Sequence, residues 1–103
     1  MEVGLISLKG LEYRLDRGMA MQLIDLRPFE DYQAAHIQGA VNIPYNQLAE
    51  RMGELELEPL LIFYCARGSA SLQAARMAVE KGLPASSVMC GIAYYRGRHM
   101  IRN

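Results

Sequence analysis

The sequence predicts a three-layer α/β domain on a mainly parallel sheet, and three observations predict it. Strand-like and helix-like patterns alternate along the chain. One run, LLIFYC from Leu60 to Cys65, is apolar on both faces, which suits a central parallel strand covered on both sides, with a buried helical segment as the alternative. The next helical pattern ends in KGLP, which supplies two stop signals, Gly82 and Pro84.

In order, Ser7 is placed to cap a short helix with Leu8, Leu11 and Leu15 on one face, stopped by Gly18. MQLIDL then reads as a strand ending near Asp25 and Leu26. Pro28 suits the first turn of a short helix, with Phe29 and Tyr32 three apart on one side. GAVNIP is a short strand closed by Pro44, and Asn46 can cap a helix carrying Leu48 and Met52 before Gly53. After the Leu60–Cys65 run, Ser69 or Ser71 can cap a helix with Leu72, Ala75 and Val79 in register. A last strand, SVMC, leads into a terminal helix with Ile92 and Tyr95 facing inward.

Length and composition set the class. A chain of 103 residues forms one domain, 1–103, with a single core, and 51% hydrophobic with 21% charged residues excludes a disordered chain. Eleven basic and eleven acidic side chains cancel without a run of like charge, so neither nucleic acid nor a membrane surface is an expected partner. The most basic stretch, YRGRHMIR, reads as a solvated helix face. Met1 to Gly10 lacks the pattern of a signal peptide and no apolar run approaches the roughly 20 residues of a membrane span, so a cytoplasmic location is expected. Two cysteines are too few for a disulfide framework, which turns attention to thiol reactivity.

Parallel strands end on one rim, so Asp25, Asn42, Cys65 and Cys90 should emerge on the same side, where open α/β sheets bind ligands. Cys65 stands where the buried strand meets a loop and a helix. Backbone N–H groups of Ala66 to Ser71, with the positive end of that helix and Arg67, can converge on an anion there. A thiolate in such a cradle serves phosphoryl transfer, disulfide exchange or sulfur transfer. A cysteine-dependent phosphatase needs an arginine after five intervening residues, where this chain has Ser71, and Tyr64 precedes the cysteine in place of His. A thioredoxin-type C-x-x-C is broken by Gly68, although Cys90 can still act as a second, resolving thiol across the rim. Sulfur transfer is the simplest remaining reading.

LIDLRPFEDYQAAHIQGAVNIPY, Leu23 to Tyr45, resembles the rhodanese-domain pattern D-x-R-x-x-x-E/D-Y-x-x-G-H-I-x-G-A-x-N-I-P. FYCARGSAS resembles that family's C-x-x-G-x-x-S loop, and VMCGIAYY its late G-G-I segment. The resemblance implies a mainly parallel five-stranded sheet with helices on both faces. It implies that Cys65 carries a persulfide, with Ala66, Arg67, Gly68, Ser69, Ala70 and Ser71 as the substrate cradle. Many family members have Arg where this sequence has Ala70, which leaves Arg67 as the loop's only cation. Ala35 replaces the usual Gly before His36, Cys90 the first Gly of G-G-I, and Tyr95 a common Trp.

Asp25, Arg27 and Asp31 are expected to form a charge and hydrogen-bond network that supports the rim, with His36 a satisfied corner histidine. Cys90 reads as a small buried residue at a strand end, with a second thiol role as the alternative. The function implied is a sulfurtransferase taking sulfane sulfur from thiosulfate, a polysulfide or a persulfide onto Cys65, and passing it to cyanide, a thiol or an acceptor protein. The alternatives are a non-catalytic or partner-dependent sulfur carrier or sensor, and redox work through Cys65 and Cys90. No cofactor and no metal site are expected, because neither His36 nor His99 stands at ligand spacing from the cysteines and CARGSAS lacks a P-loop lysine.

Overall fold

Five parallel strands carry the fold in the computed structural model, which describes residues 2–103. They are β1 (Gly4–Ile6), β2 (Gln22–Asp25), β4 (Val41–Asn42), β5 (Leu61–Tyr64) and β6 (Ala85–Val88), ordered β1-β6-β5-β2-β4. Every residue of β5 is buried, as a strand apolar on both faces requires at the centre of a covered sheet. Its register sets Leu61–Tyr64 beside Gln22–Asp25 on one side, and Leu61–Phe63 beside Ala85–Ser87 on the other.

Successive side chains of a strand point to opposite faces, so β5 feeds two cores. Leu61 and Phe63 join Ile24, Leu26, Leu48 and Met52 against Ala74, Ala75 and Ala78 of α4 (Ser69–Glu80). The three alanines let that helix lie close to the sheet. Ile62 and Tyr64 join Leu23, Val88, Ile92 and Leu11 of α1 (Leu8–Asp16) on the other face. Phe63 is fully buried, and its truncation to Ala would cost about 3–5 kcal/mol.

Several boundaries differ from the sequence reading. Ser7 caps α1 as expected, its Oγ accepting the Gly10 N–H at 2.9 Å. Pro28 precedes α2 (Phe29–Ala34). Asn46 caps nothing: Pro44 starts a 3-10 turn over Tyr45–Gln47, which runs into α3 (Leu48–Arg51) and a second turn, Met52–Glu54. Neither Ser69 nor Ser71 caps α4, because Gly68 takes the cap position in the left-handed conformation, freeing both serines for the helix itself.

The last expected strand is shifted toward the N-terminus, so Met89 and Cys90 lie beyond β6. The expected terminal helix is one 3-10 turn, Ile92–Tyr94, although Ile92 and Tyr95 are buried as foreseen. The basic segment after it is not a helix face. It turns back into β7 (Met100–Arg102), antiparallel to β3 (Ala35–Ile37), and is pinned to α1 by Arg98 and His99, each within 2.9 Å of Asp16 Oδ1.

Candidate active site

The C-terminal ends of β6, β5, β2 and β4 share one rim in that lateral order, so the loops bearing Cys90, Cys65, Pro28 and Pro44 sit side by side. Leu26, Arg27, Pro28, Cys65, Ala66, Arg67, Ser69 and Ala70 line a cleft there of about 290 Å³. Cys65 lies at its floor, 6% exposed.

The thiol sits inside the turn that follows β5. Its Sγ accepts the Gly68 N–H at 3.0 Å and the Ser71 N–H at 3.4 Å, which places the positive ends of two peptide dipoles on the sulfur. The N–H groups of Ala66, Arg67, Ser69 and Ala70, all on the cleft wall, have no acceptor among the described residues. The first turn of a helix leaves such donors free by construction, and a second, outer anionic atom is what they can receive. The Arg67 side chain is exposed and has no hydrogen bond or ion pair among the described residues.

Two glycines permit this packing. Gly68 has φ +96, and a Cβ on it would stand 3.2 Å from the Cys90 nitrogen. Gly91, with φ 76 and ψ 166, occupies a region that is essentially glycine-only, and a Cβ there would meet the Ala66 carbonyl oxygen at 2.2 Å. The following loop therefore lies directly on the cysteine loop: Ile92 N–H donates to Cys65 O at 2.8 Å and Ala93 N–H to Ala66 O at 3.1 Å.

The opposite wall, Leu26–Pro28, rests on Asp25, whose side chain is fully buried. Its carboxylate accepts the Arg27 main-chain N–H at 2.9 Å, the Arg27 guanidinium through Nε and Nη2 down to 2.8 Å, and the Tyr64 hydroxyl at 2.7 Å. Arg27 Nη2 also donates to Ala35 O, and Asn42 Nδ2 donates to the Asp25 and Arg27 carbonyls. Burial and the Asp25 charge together push the Tyr64 phenol far above its ordinary range, so it stays a donor. Burial opposes the Arg27 charge, but the bonds to Asp25 outweigh it and hold the guanidinium more firmly protonated than usual.

Asp25 and Arg27 thus form a hydrogen-bonded ion pair beneath this wall. Asp31 does not join it: its side chain is exposed on α2 with no hydrogen bond among the described residues. His36 stacks on Tyr32 at 4.0 Å with Nδ1 2.9 Å from the Tyr32 carbonyl oxygen, and it does not line the cleft. Cys90 is not the buried residue expected. It is exposed, with φ 66, a conformation that favours the glycine it replaces. Sequence reasoning also missed Tyr64 as a second donor to Asp25, and Ser87, a lone polar residue buried in β6. The polar interruption in ASSV was the only signal of the latter.

The site is a cysteine at the end of a sheet strand, held by amides of its own loop and helix on an α/β scaffold. The rhodanese-like domain model matches residues 7–96, and the chain belongs to that family. It is 36% identical over 81 residues to the thiosulfate sulfurtransferase PspE of Escherichia coli (strain K12), covering 77% of each chain. It is 48% identical over 52 residues, half of this chain, to the HTH-type transcriptional regulator Rv0324 of Mycobacterium tuberculosis. The chain spans only 23% of that regulator, and 42% and 48% of two further curated relatives. Among solved structures, a rhodanese-like domain protein from Staphylococcus aureus superposes with a TM-score of 0.88 at 19% identity, covering 98% of this chain and 99% of that one. Relatives bear the names of sulfurtransferases and of a sulfur carrier. Among the described residues, no helix is long and apolar enough to cross a membrane.

Proposed function

We propose that the chain is a sulfurtransferase acting through a persulfide on Cys65. The observation that carries the reading is the Cys65 sulfur at the cleft floor, already held by two N–H donors with four more unsatisfied donors around it. The Cys65 thiolate attacks the outer sulfur of a donor such as thiosulfate, forming an S–S bond while the donor's S–S bond breaks and sulfite leaves with the bonding pair. The new terminal sulfur carries the negative charge, and the free amides of the loop and Arg67 are placed to hold it. Cyanide or an acceptor thiolate then attacks that terminal sulfur, leaving as thiocyanate or a new persulfide and returning Cys65 as thiolate. Asp25, Arg27 and Tyr64 act at one remove by fixing the Leu26–Pro28 wall. The acceptor reaches Cys65 from solution or on a protein partner, and no bound cofactor enters either step.

The test is intact-protein mass spectrometry of reduced wild type and Cys65→Ser after thiosulfate or polysulfide, each followed by cyanide. A gain of one sulfur on wild type alone, removed by cyanide with thiocyanate appearing, is the expected result. Loading without release to cyanide would instead identify a partner-dependent carrier. A Cys65–Cys90 disulfide in place of the added sulfur would identify a redox module, and loading of Cys65→Ser would overturn the reading.

A further inference from the structure

Beside the cysteine loop, at two residues that do not line the cleft, two buried hydroxyls meet. Ser71 of α4 is fully buried and Ser87 of β6 is 2% exposed, and their Oγ atoms lie 2.8 Å apart. Ser71 Oγ also donates to the Gly68 carbonyl oxygen at 3.1 Å. A serine hydroxyl has one proton, and that of Ser71 is spent on Gly68, so the proton between the two serines belongs to Ser87. The direction of the chain is therefore fixed: Ser87 donates to Ser71, and Ser71 donates to Gly68.

The far end of this chain is the sulfur cradle. Gly68 and Ser71, the residues tied together by the middle bond, are the same two whose N–H groups reach Cys65 Sγ. Gly68 has no side chain to fix its own orientation and sits in the left-handed region, with no side-chain cap at the start of α4. Its carbonyl is held by Ser71 Oγ and by the Leu72 N–H at 3.3 Å. Donation into Ser71 selects the rotamer that faces Gly68 and strengthens the outgoing bond by polarising the hydroxyl. Ser87 has no other hydrogen bond through its hydroxyl among the described residues, and its strand neighbours in register are Leu5 and Phe63. A buried hydroxyl with a single partner adds little packing that alanine would lack, so its effect falls on the serine that it orders.

We propose that Ser87 is a positioning residue for sulfur transfer, acting through Ser71 to aim the Gly68 and Ser71 N–H groups at the Cys65 sulfur. The proposal rests on the sulfurtransferase reading above. It places one determinant of the rate on a strand that never touches the donor.

The experiment is steady-state sulfur transfer to cyanide and single-turnover loading of Cys65, followed by mass, in wild type, Ser87→Ala, Ser71→Ala and the double variant, with thermal unfolding of each. Ser87→Ala removes one oxygen and leaves Ser71 able to bond Gly68. It is expected to lower kcat and the loading rate by about fivefold, the equivalent of one neutral hydrogen bond, with the donor KM unchanged. Because Ser87 acts only through Ser71, the double variant is expected to lose no more than Ser71→Ala alone. Unchanged kcat in Ser87→Ala, a loss that falls on KM, or multiplicative losses in the double variant would each overturn the proposal. Wild type separates the two ideas, since a wild type that loads no sulfur defeats the sulfurtransferase reading itself.

Discussion

Replacing Arg27 with Met isolates the charge that balances Asp25. The guanidinium is 13% exposed and its partner carboxylate 0%, and Met fills a similar volume without a donor. The variant keeps the Tyr64 hydroxyl and the residue-27 main-chain N–H on the carboxylate and loses the three guanidinium bonds. Removing one partner of a buried pair leaves an uncompensated charge and costs about 3–5 kcal/mol. For a domain of this size that is a large part of the roughly 5–15 kcal/mol available, and it lowers Tm by on the order of 20 °C. Circular dichroism melts and urea unfolding at neutral pH measure it, and Asp25→Asn on the same background should recover part of the loss by removing the stranded charge. A loss below about 1 kcal/mol, the value of a solvent-exposed pair, would refute the claim that this ion pair holds the cleft wall.

Four other outcomes are expected. Gly91→Ala, which forces a Cβ onto the Ala66 carbonyl, should destabilise by about 2–3 kcal/mol and impair sulfur loading, read by melts and by mass. Cys90→Gly should raise stability by about 0.5–1 kcal/mol, the left-handed penalty of roughly 1–2 less the entropy that glycine adds to the unfolded chain, with loading of Cys65 retained. Burial first, then the bond to Glu12, pushes the Tyr95 phenol from 10.0 up to about 12. Its protonated form is favoured by folding, so that stabilisation is full below pH 10 and lost as pH rises through 12, and alkaline melts should fall less steeply in Tyr95→Phe. Ala70→Arg, which adds a cation to the cleft wall, should lower the KM for dianionic thiosulfate several-fold at low salt and leave that for an uncharged dialkyl trisulfide unchanged.

The parts legible in the sequence are those whose cause is local. The double-faced run of β5, the Ser7 cap and the Gly82 stop each follow from a few adjacent residues, and the thiol corner follows from them. The support of the site is not local. Tyr64 reaches Asp25 across 39 positions and Ser87 reaches Ser71 across 16, contacts that exist only once β2, β5 and β6 are aligned. The basic C-terminal segment misled for another reason: β3 and β7 have three residues each, too few for periodicity to separate strand from helix. Cys90 misled because buried packing is the ordinary habit of cysteine, whereas here it inherits the backbone of a glycine.

The unequal depth of the two thiols separates their reactivity toward reagents of different size. Cys65 lies 6% exposed in its cleft, while Cys90 stands in the open on the neighbouring loop. A small sulfur anion such as thiosulfate meets less hindrance at the first than a bulky alkylating reagent does, and that reagent reacts first with the second. Two labels of different girth, applied to one sample, therefore report the two thiols separately: the surface from Cys90, and the buried end of β5 from Cys65.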